Sequence, residues 1–207
     1  LNLTNQLLDF RKTESQGFRL NFAKCNITEV LKETHVRFTS LAKQKGLDFT
    51  LQVPEKDFYA HVNQEAFTKI ISNLLNNGMK YAESYVHVML EAPQRDDNNL
   101  FRIRTVNDGV IIPDAMKEEI FKPFVRFNEQ EDGKVTTGTG IGLALSRSLA
   151  EFHLGTLVME AGEESNIFCL TLPVVQDTTI TLTPEAEVEI ERVNEIPAEQ
   201  AGKKDNR

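Results

Sequence analysis

Gly138-Thr139-Gly140-Ile141-Gly142-Leu143 runs straight into a helical pattern, Ala144 to Phe152. Glycine lacks the Cβ that keeps backbone N–H groups away from a bound anion. A helix N-terminus behind such a loop adds free donors and a partial positive charge. The chemistry this allows is phosphate binding. No Lys-Ser/Thr pair follows the glycines, so this is not a Walker loop. The spacing also differs from the dinucleotide fingerprint.

A second segment with chemistry in it is Glu65 to Tyr81. Phe67, Ile71, Leu74, Leu75 and Met79 recur at helical spacing and make an apolar stripe. Lys69, Asn73, Asn76, Asn77 and Lys80 fall on the opposite arc, with Asn73 and Asn77 one turn apart on one face. An amide oxygen is a neutral, hard ligand suited to Mg²⁺, which takes few protein ligands beside substrate phosphates. Lys80 is placed to meet a phosphate as a point charge. A solvated polar face explains the same pattern without a ligand. The third segment, Asn107-Asp108-Gly109, is a turn signal at the end of a strand-like run. Its amide and carboxylate offer hydrogen bonds to a base edge, although a turn needs no ligand to exist.

Elements to position these residues are legible. Ile27 to Lys45 is a helix with Thr28 as candidate cap and Gly46 as its stop. Leu47 to Val53, Tyr85 to Ala92 and Leu100 to Val106 alternate as half-buried strands, the last two flanking a polar loop, Gln94 to Asn99. Leu20 to Ala23, Phe58 to His61, Leu157 to Glu160 and Ile167 to Leu172 supply shorter strands. This order predicts an α+β fold: a two-layer sandwich of a mixed, mostly antiparallel sheet covered on one face by helices. Pro113 to Thr137 reads as a lid, with a short helix at Asp114 to Ile120 and apolar anchors Phe121, Phe124 and Phe127. Such a lid would close over a nucleotide and exclude water.

Composition narrows the class. The 207 residues carry a net charge of −8, which disfavours nucleic acid as a partner. Cys25 and Cys169 show neither metal spacing nor a disulfide framework, so a reducing compartment is expected. His35, His61, His87 and His153 do not cluster in sequence. No apolar run is long enough to span a bilayer, and no secretory leader is recognisable.

Taken in order, four boxes resemble the catalytic ATP-binding domain of sensor histidine kinases, in the GHKL superfamily with its Bergerat fold. The asparagine box is Asn73-Leu74-Leu75-Asn76-Asn77-Gly78-Met79-Lys80-Tyr81 and the first glycine box is Asn107-Asp108-Gly109-Val110-Ile111-Ile112-Pro113. The phenylalanine box is Phe121-Lys122-Pro123-Phe124, and the second glycine box is Gly138 to Leu143. Asn166 to Pro173 resembles the domain's last strand. The likeness covers Ala23 to Pro173, and its wording is nearest to the hybrid two-component sensors of Bacteroidetes.

The resemblance implies ATP and Mg²⁺ as cofactors and a phosphoryl transfer to histidine. It puts adenine near Asn107 and Gly109, Mg²⁺ on Asn77, phosphate near Asn73, and phosphate or ribose on Lys80 and Tyr81. Gly138, Thr139, Gly140, Ile141, Gly142 and Leu143 would wrap the phosphates, with Ile112, Phe121 and Thr137 as further contacts. Asn73, Asn77 and Lys80 are its catalytic set. It implies residues 1–18 as the end of a dimerisation helix and a turn, 19–175 as the ATP-binding domain, and 176–207 as an acidic tail or linker toward a receiver domain. Implied partners are the phosphotransfer helices of a homodimeric parent and that receiver. The implied location is cytoplasmic, beneath an inner-membrane sensor, with no direct membrane contact by these residues.

The phosphoacceptor run of the family has no match, since His35 sits in Glu33-Thr34-His35-Val36-Arg37. Binding of ATP without self-phosphorylation is therefore expected. Asn107 stands where the family has Asp, Ile111 where it has Gly, and Gly78 where Ala is usual. These departures keep a nucleotide-binding module without catalysis as an alternative. A GHKL-type ATPase is another, but that class places a Glu base on the asparagine-box helix, where this chain has Lys69 and Asn73.

Overall fold

The computed structural model describes residues 19–93, 99–126, 139–160, 162, 164–176 and 179–181. The expected N-terminal helix end and its turn, Phe127, Thr137, Gly138, most of the polar loop and most of the acidic tail lie outside the described residues.

Strands β1 (Arg19–Asn21) and β2 (Ala23–Asn26) lead into helix α1 (Ile27–Lys45). The helix is capped by Asn26, whose side chain accepts the Glu29 N–H at 3.2 Å. Thr28, the expected cap, lies inside the first turn. Its hydroxyl instead accepts the Phe58 N–H at 3.0 Å and ties α1 to a neighbouring segment. The helix stops at Gly46, whose N–H returns to the Ala42 and Lys43 carbonyls.

Next come β3 (Asp48–Gln52), β4 (Tyr59–Val62) and helix α2 (Gln64–Tyr81). Asn63 caps α2 by accepting the Ala66 N–H at 2.9 Å. The α2 stripe of Phe67, Ile70, Ile71, Leu74, Leu75 and Met79 is fully buried. Gly78 is buried with it. A Cβ there would lie 3.0 Å from Val86 Cγ1, which accounts for glycine at a mid-helix position that costs about 1 kcal/mol in helix propensity.

The rest of the chain supplies β5 (Tyr85–Glu91), β6 (Leu100–Asn107), 3₁₀ turns at Asp114–Met116 and Glu119–Phe121, helix α3 (Gly142–Phe152), β7 (Thr156–Glu160), β8 (Asn166–Pro173) and β9 (Thr179–Thr181). The expected lid helix is thus two short 3₁₀ turns. The main sheet has the order β3-β5-β6-β8-β7, with β3 parallel to β5 and every other pair antiparallel. β2 pairs with β4 and β1 with β9 in two small ribbons.

Period-2 alternation sets which face is covered. Val86, Val88, Leu90, Phe101, Ile103, Leu170 and Leu172 point at the helices and are buried. On the other face Arg104 donates to Glu160 at 2.8 Å and also pairs with Glu91. The fold is therefore the α+β two-layer sandwich that the element order predicts, with its core between the sheet and the helices.

Candidate nucleotide site

The cavity of about 490 Å³ opens between α2, the ends of β6 and β8, the 3₁₀ segment and the start of α3. That volume lies in the range of small-molecule sites. Asn73, Asn77, Lys80 and Tyr81 reach it from α2, Asn107 from the end of β6, Ile112 from the loop after β6, and Thr139, Gly140, Gly142 and Leu143 from the glycine segment.

Asn73 is 5% exposed, not on a solvated arc, because α3 covers it. Its Nδ2 donates to the Gly142 carbonyl at 3.2 Å and to Ser146 Oγ at 3.1 Å. The asparagine helix and the glycine segment are joined through this side chain. Asn77, one turn on, makes no side-chain hydrogen bond among the described residues, so its amide is uncommitted. Lys80 Nζ donates to the Tyr81 hydroxyl at 2.8 Å and lies 4.5 Å from that ring's centroid.

At the end of β6 two adjacent residues part company. Asn107 is buried and lines the cavity, and its Nδ2 has no partner among the described residues. Asp108 turns away. Its carboxylate accepts the N–H groups of Glu83, Ser84 and Tyr85 at 3.0–3.1 Å and the Ser84 hydroxyl as well. Burial alone would raise its pKa, but the Ser84 hydroxyl and the three N–H donors together hold it well below the usual carboxylate range. Asp108 is a staple for the 83–85 turn, not a base reader.

Gly109 does not line the cavity. A Cβ there would lie 1.9 Å from the Tyr81 carbonyl oxygen, so glycine is required by the approach of α2's end, not by a ligand. Phe121 and Ile141 also stand off the cavity. Phe121 is buried edge-on to Phe168 with the Arg147 guanidinium 3.8 Å above its ring, and Ile141 is an anchor in the core. Gly140 has φ +68° and accepts the Phe124 N–H at 2.9 Å through its carbonyl. A Cβ there would lie 2.8 Å from the Phe124 backbone. Helix α3 then begins without a side-chain cap, which leaves its first N–H groups for a ligand.

Four lining residues were not among the site residues read from the sequence. Lys45 comes from α1 and donates to the Met79 carbonyl at 2.7 Å. Arg126 comes from the chain that follows the second 3₁₀ turn, and Phe168 is a wall on β8. Asn166, facing Asn107 across the β6–β8 ladder, accepts the Ile112 N–H at 3.0 Å and donates to the Val110 carbonyl at 3.0 Å. A polar residue at a buried phase of the strand pattern was its one available clue. Lys45, Lys80 and Arg126 line the cavity, and no Asp or Glu does so among the described residues. In a chain of net charge −8 this is a local reversal, and it fits an anionic ligand.

The histidines stand apart from the cavity. His35 stacks on Phe49 with ring centroids 4.1 Å apart. His153 is buried, its Nδ1 donating to the Leu149 carbonyl at 2.6 Å and its Nε2 accepting the Asn63 N–H at 3.2 Å. Burial pushes its pKa below the ordinary histidine value. Among the described residues no cluster of three His, Cys, Asp or Glu can hold a metal. Magnesium would have to be held by an amide and by the ligand's own oxygens, and the uncommitted Asn77 fits that role.

The chain belongs to the histidine kinase-, DNA gyrase B- and HSP90-like ATPase family, whose pattern matches residues 62–188. It is 30% identical over 187 residues to Histidine kinase P4 of Formosa agariphila, which covers 87% of this chain and 14% of that protein. Its fold matches the catalytic domain of histidine kinase ThkA with a TM-score of 0.65 at 23% identity, over 75% of this chain and 97% of that one. It also matches ShkA, solved full-length with AMPPNP, with a TM-score of 0.70 at 20% identity, over 87% of this chain and 36% of that one. These relatives are histidine kinases, and the chain spans 14% of the length of P4.

Proposed function

We propose that the chain is the catalytic domain of a two-component sensor histidine kinase, and that it presents the γ-phosphate of ATP to a histidine on a dimerisation helix. The cavity's charge carries this reading. It offers three cations, an uncapped helix start and no lining carboxylate among the described residues. Phosphoryl transfer needs positioning and charge stabilisation above all. A hydrolase of this fold class needs a carboxylate to activate water, and none lines the cavity among the described residues. The AMPPNP held by ShkA supports a nucleotide here, and the name of P4 supports the acceptor class.

In this reading purine sits against Asn107, Ile112 and Phe168, and the triphosphate lies toward Lys80 and the start of α3. Asn77 would hold Mg²⁺, which would supply charge neutralisation at the phosphate oxygens. In the same reading residues 19–175 form the ATP-binding domain. No described helix is long and apolar enough to cross a membrane. We place the domain in the cytoplasm, below a homodimeric inner-membrane parent.

The test is titration of Mg–ATP against the wild-type chain and Asn77→Ala, followed by transfer to a supplied acceptor-helix dimer. The expected result is binding that weakens about tenfold or more in the variant, with label appearing on the acceptor in the wild type. Equal affinities would remove Asn77 from the metal site. Tight ATP binding with no transfer would favour the module without catalysis.

A further inference from the structure

We propose that this cavity accepts 6-oxopurine nucleotides, of the inosine and guanosine type, alongside 6-aminopurine ones, and that Asn107 makes it permissive. The proposal rests on the nucleotide reading above. Asn107 is 3% exposed, lines the cavity from the end of β6 and keeps a buried Nδ2 donor without a partner among the described residues. A buried donor of this kind gains from a ligand acceptor.

Its neighbours leave it in that state. Asn166, its register partner on β8, is committed to Ile112 and Val110. Asp108 is committed to the 83–85 turn and brings no carboxylate to the cavity. Asn107 itself makes no side-chain hydrogen bond with a described residue, so nothing described fixes which way its amide points.

An amide presents one acceptor and one donor group side by side. The Watson–Crick edge of adenine offers the N6 amino donor beside the N1 acceptor. A 6-oxopurine offers the reverse, an O6 acceptor beside the N1–H donor. Rotating the amide by half a turn matches either edge. A carboxylate has acceptors alone, so with one oxygen set against the 6-position it accepts the N6 amino group and repels O6. The apolar walls Val110, Ile112 and Phe168 contact a purine face without regard to its 6-substituent. The cations Lys45, Lys80 and Arg126 line the cavity whichever base is bound.

The experiment is calorimetric titration of Mg–ATP and Mg–ITP against the whole wild-type chain and against Asn107→Asp. Wild type is expected to bind ITP within about tenfold of ATP. The Asp variant is expected to move the ATP-to-ITP affinity ratio at least about tenfold toward ATP. A wild type that binds ATP and discriminates against ITP by more than about tenfold overturns the proposal while leaving the nucleotide reading intact. An unchanged ratio in the variant overturns the role of Asn107. Binding of neither nucleotide overturns the nucleotide reading, and this proposal with it. If the variant does not fold, the wild-type ratio alone decides.

Discussion

Asn73 Nδ2 lies 3.2 Å from the carbonyl oxygen of Gly142, and this one bond fastens helix α2 to the first residue of α3. The same nitrogen reaches Ser146 Oγ at 3.1 Å. The amide that leads the asparagine box therefore holds two walls of the cavity at a fixed separation. Asn73→Ala leaves a buried carbonyl and hydroxyl without this donor, and is expected to cost about 1–3 kcal/mol in urea denaturation. Asn73→Asp cannot donate and should cost at least as much. A loss under about 0.5 kcal/mol for both variants would mean that the contact does not hold the site together.

Gly109 is the tightest backbone approach around the site. A Cβ would stand 1.9 Å from the Tyr81 carbonyl oxygen, and neither atom belongs to a flexible side chain. Gly109→Ala must displace the end of α2 or the turn itself. The expected outcome is destabilisation of about 3 kcal/mol or more, seen as a fall in melting temperature by circular dichroism. A melt within a degree or two of wild type would contradict the packing described.

Asp108 confers an acid sensitivity with a definite sign. Its folded carboxyl titrates well below the ordinary range because four donors face it. The stability it contributes is present above the unfolded value near ~4 and is lost as pH falls through that value toward the folded one. Urea unfolding from pH 7 down to pH 2 should show this acid loss in the wild type. Asp108→Asn should be less stable at pH 7 and should show a shallower loss below ~4. Parallel curves for the two proteins would rule the staple out.

His153 acts in a higher window. Burial lowers its folded pKa, partly offset by the Leu149 carbonyl, and the Asn63 N–H needs the bare Nε2 lone pair. The unfolded chain therefore binds the proton first as pH falls. Stability is complete above about 6.5 and declines below it toward the folded pKa. The imidazole Cε1 proton, followed by NMR, is expected to titrate below the ordinary histidine value. A titration midpoint at or above about 6.5 would refute the buried neutral ring.

Much of the frame was open to reading because local periodicity reports burial. Tyr85–Glu91 and Leu100–Asn107 alternate in sequence and in exposure alike, and the α2 stripe is the core side of that helix. Misreadings gather where two polar residues sit side by side. Asn26, not Thr28, caps α1, since Thr28 meets Phe58 across 30 positions of chain. Asn107 faces the cavity and Asp108 the 83–85 turn, which no pattern within the Asn-Asp-Gly run distinguishes. Gly109, Phe121 and Ile141 carry motif positions but serve packing.

The amino-acid sequence by itself determined the elements, their order, the α+β class and the four boxes that announce a nucleotide fold. Those features are local, written in spacing and residue type. Tertiary structure decided which donors remain unspent around the cavity. Lys45 and Asn166 reach it from elements 28 positions before and 59 positions after Asn73 and Asn107 respectively. A side chain's partner is set by what the folded backbone brings within 3 Å, and that distance is unrelated to separation along the chain.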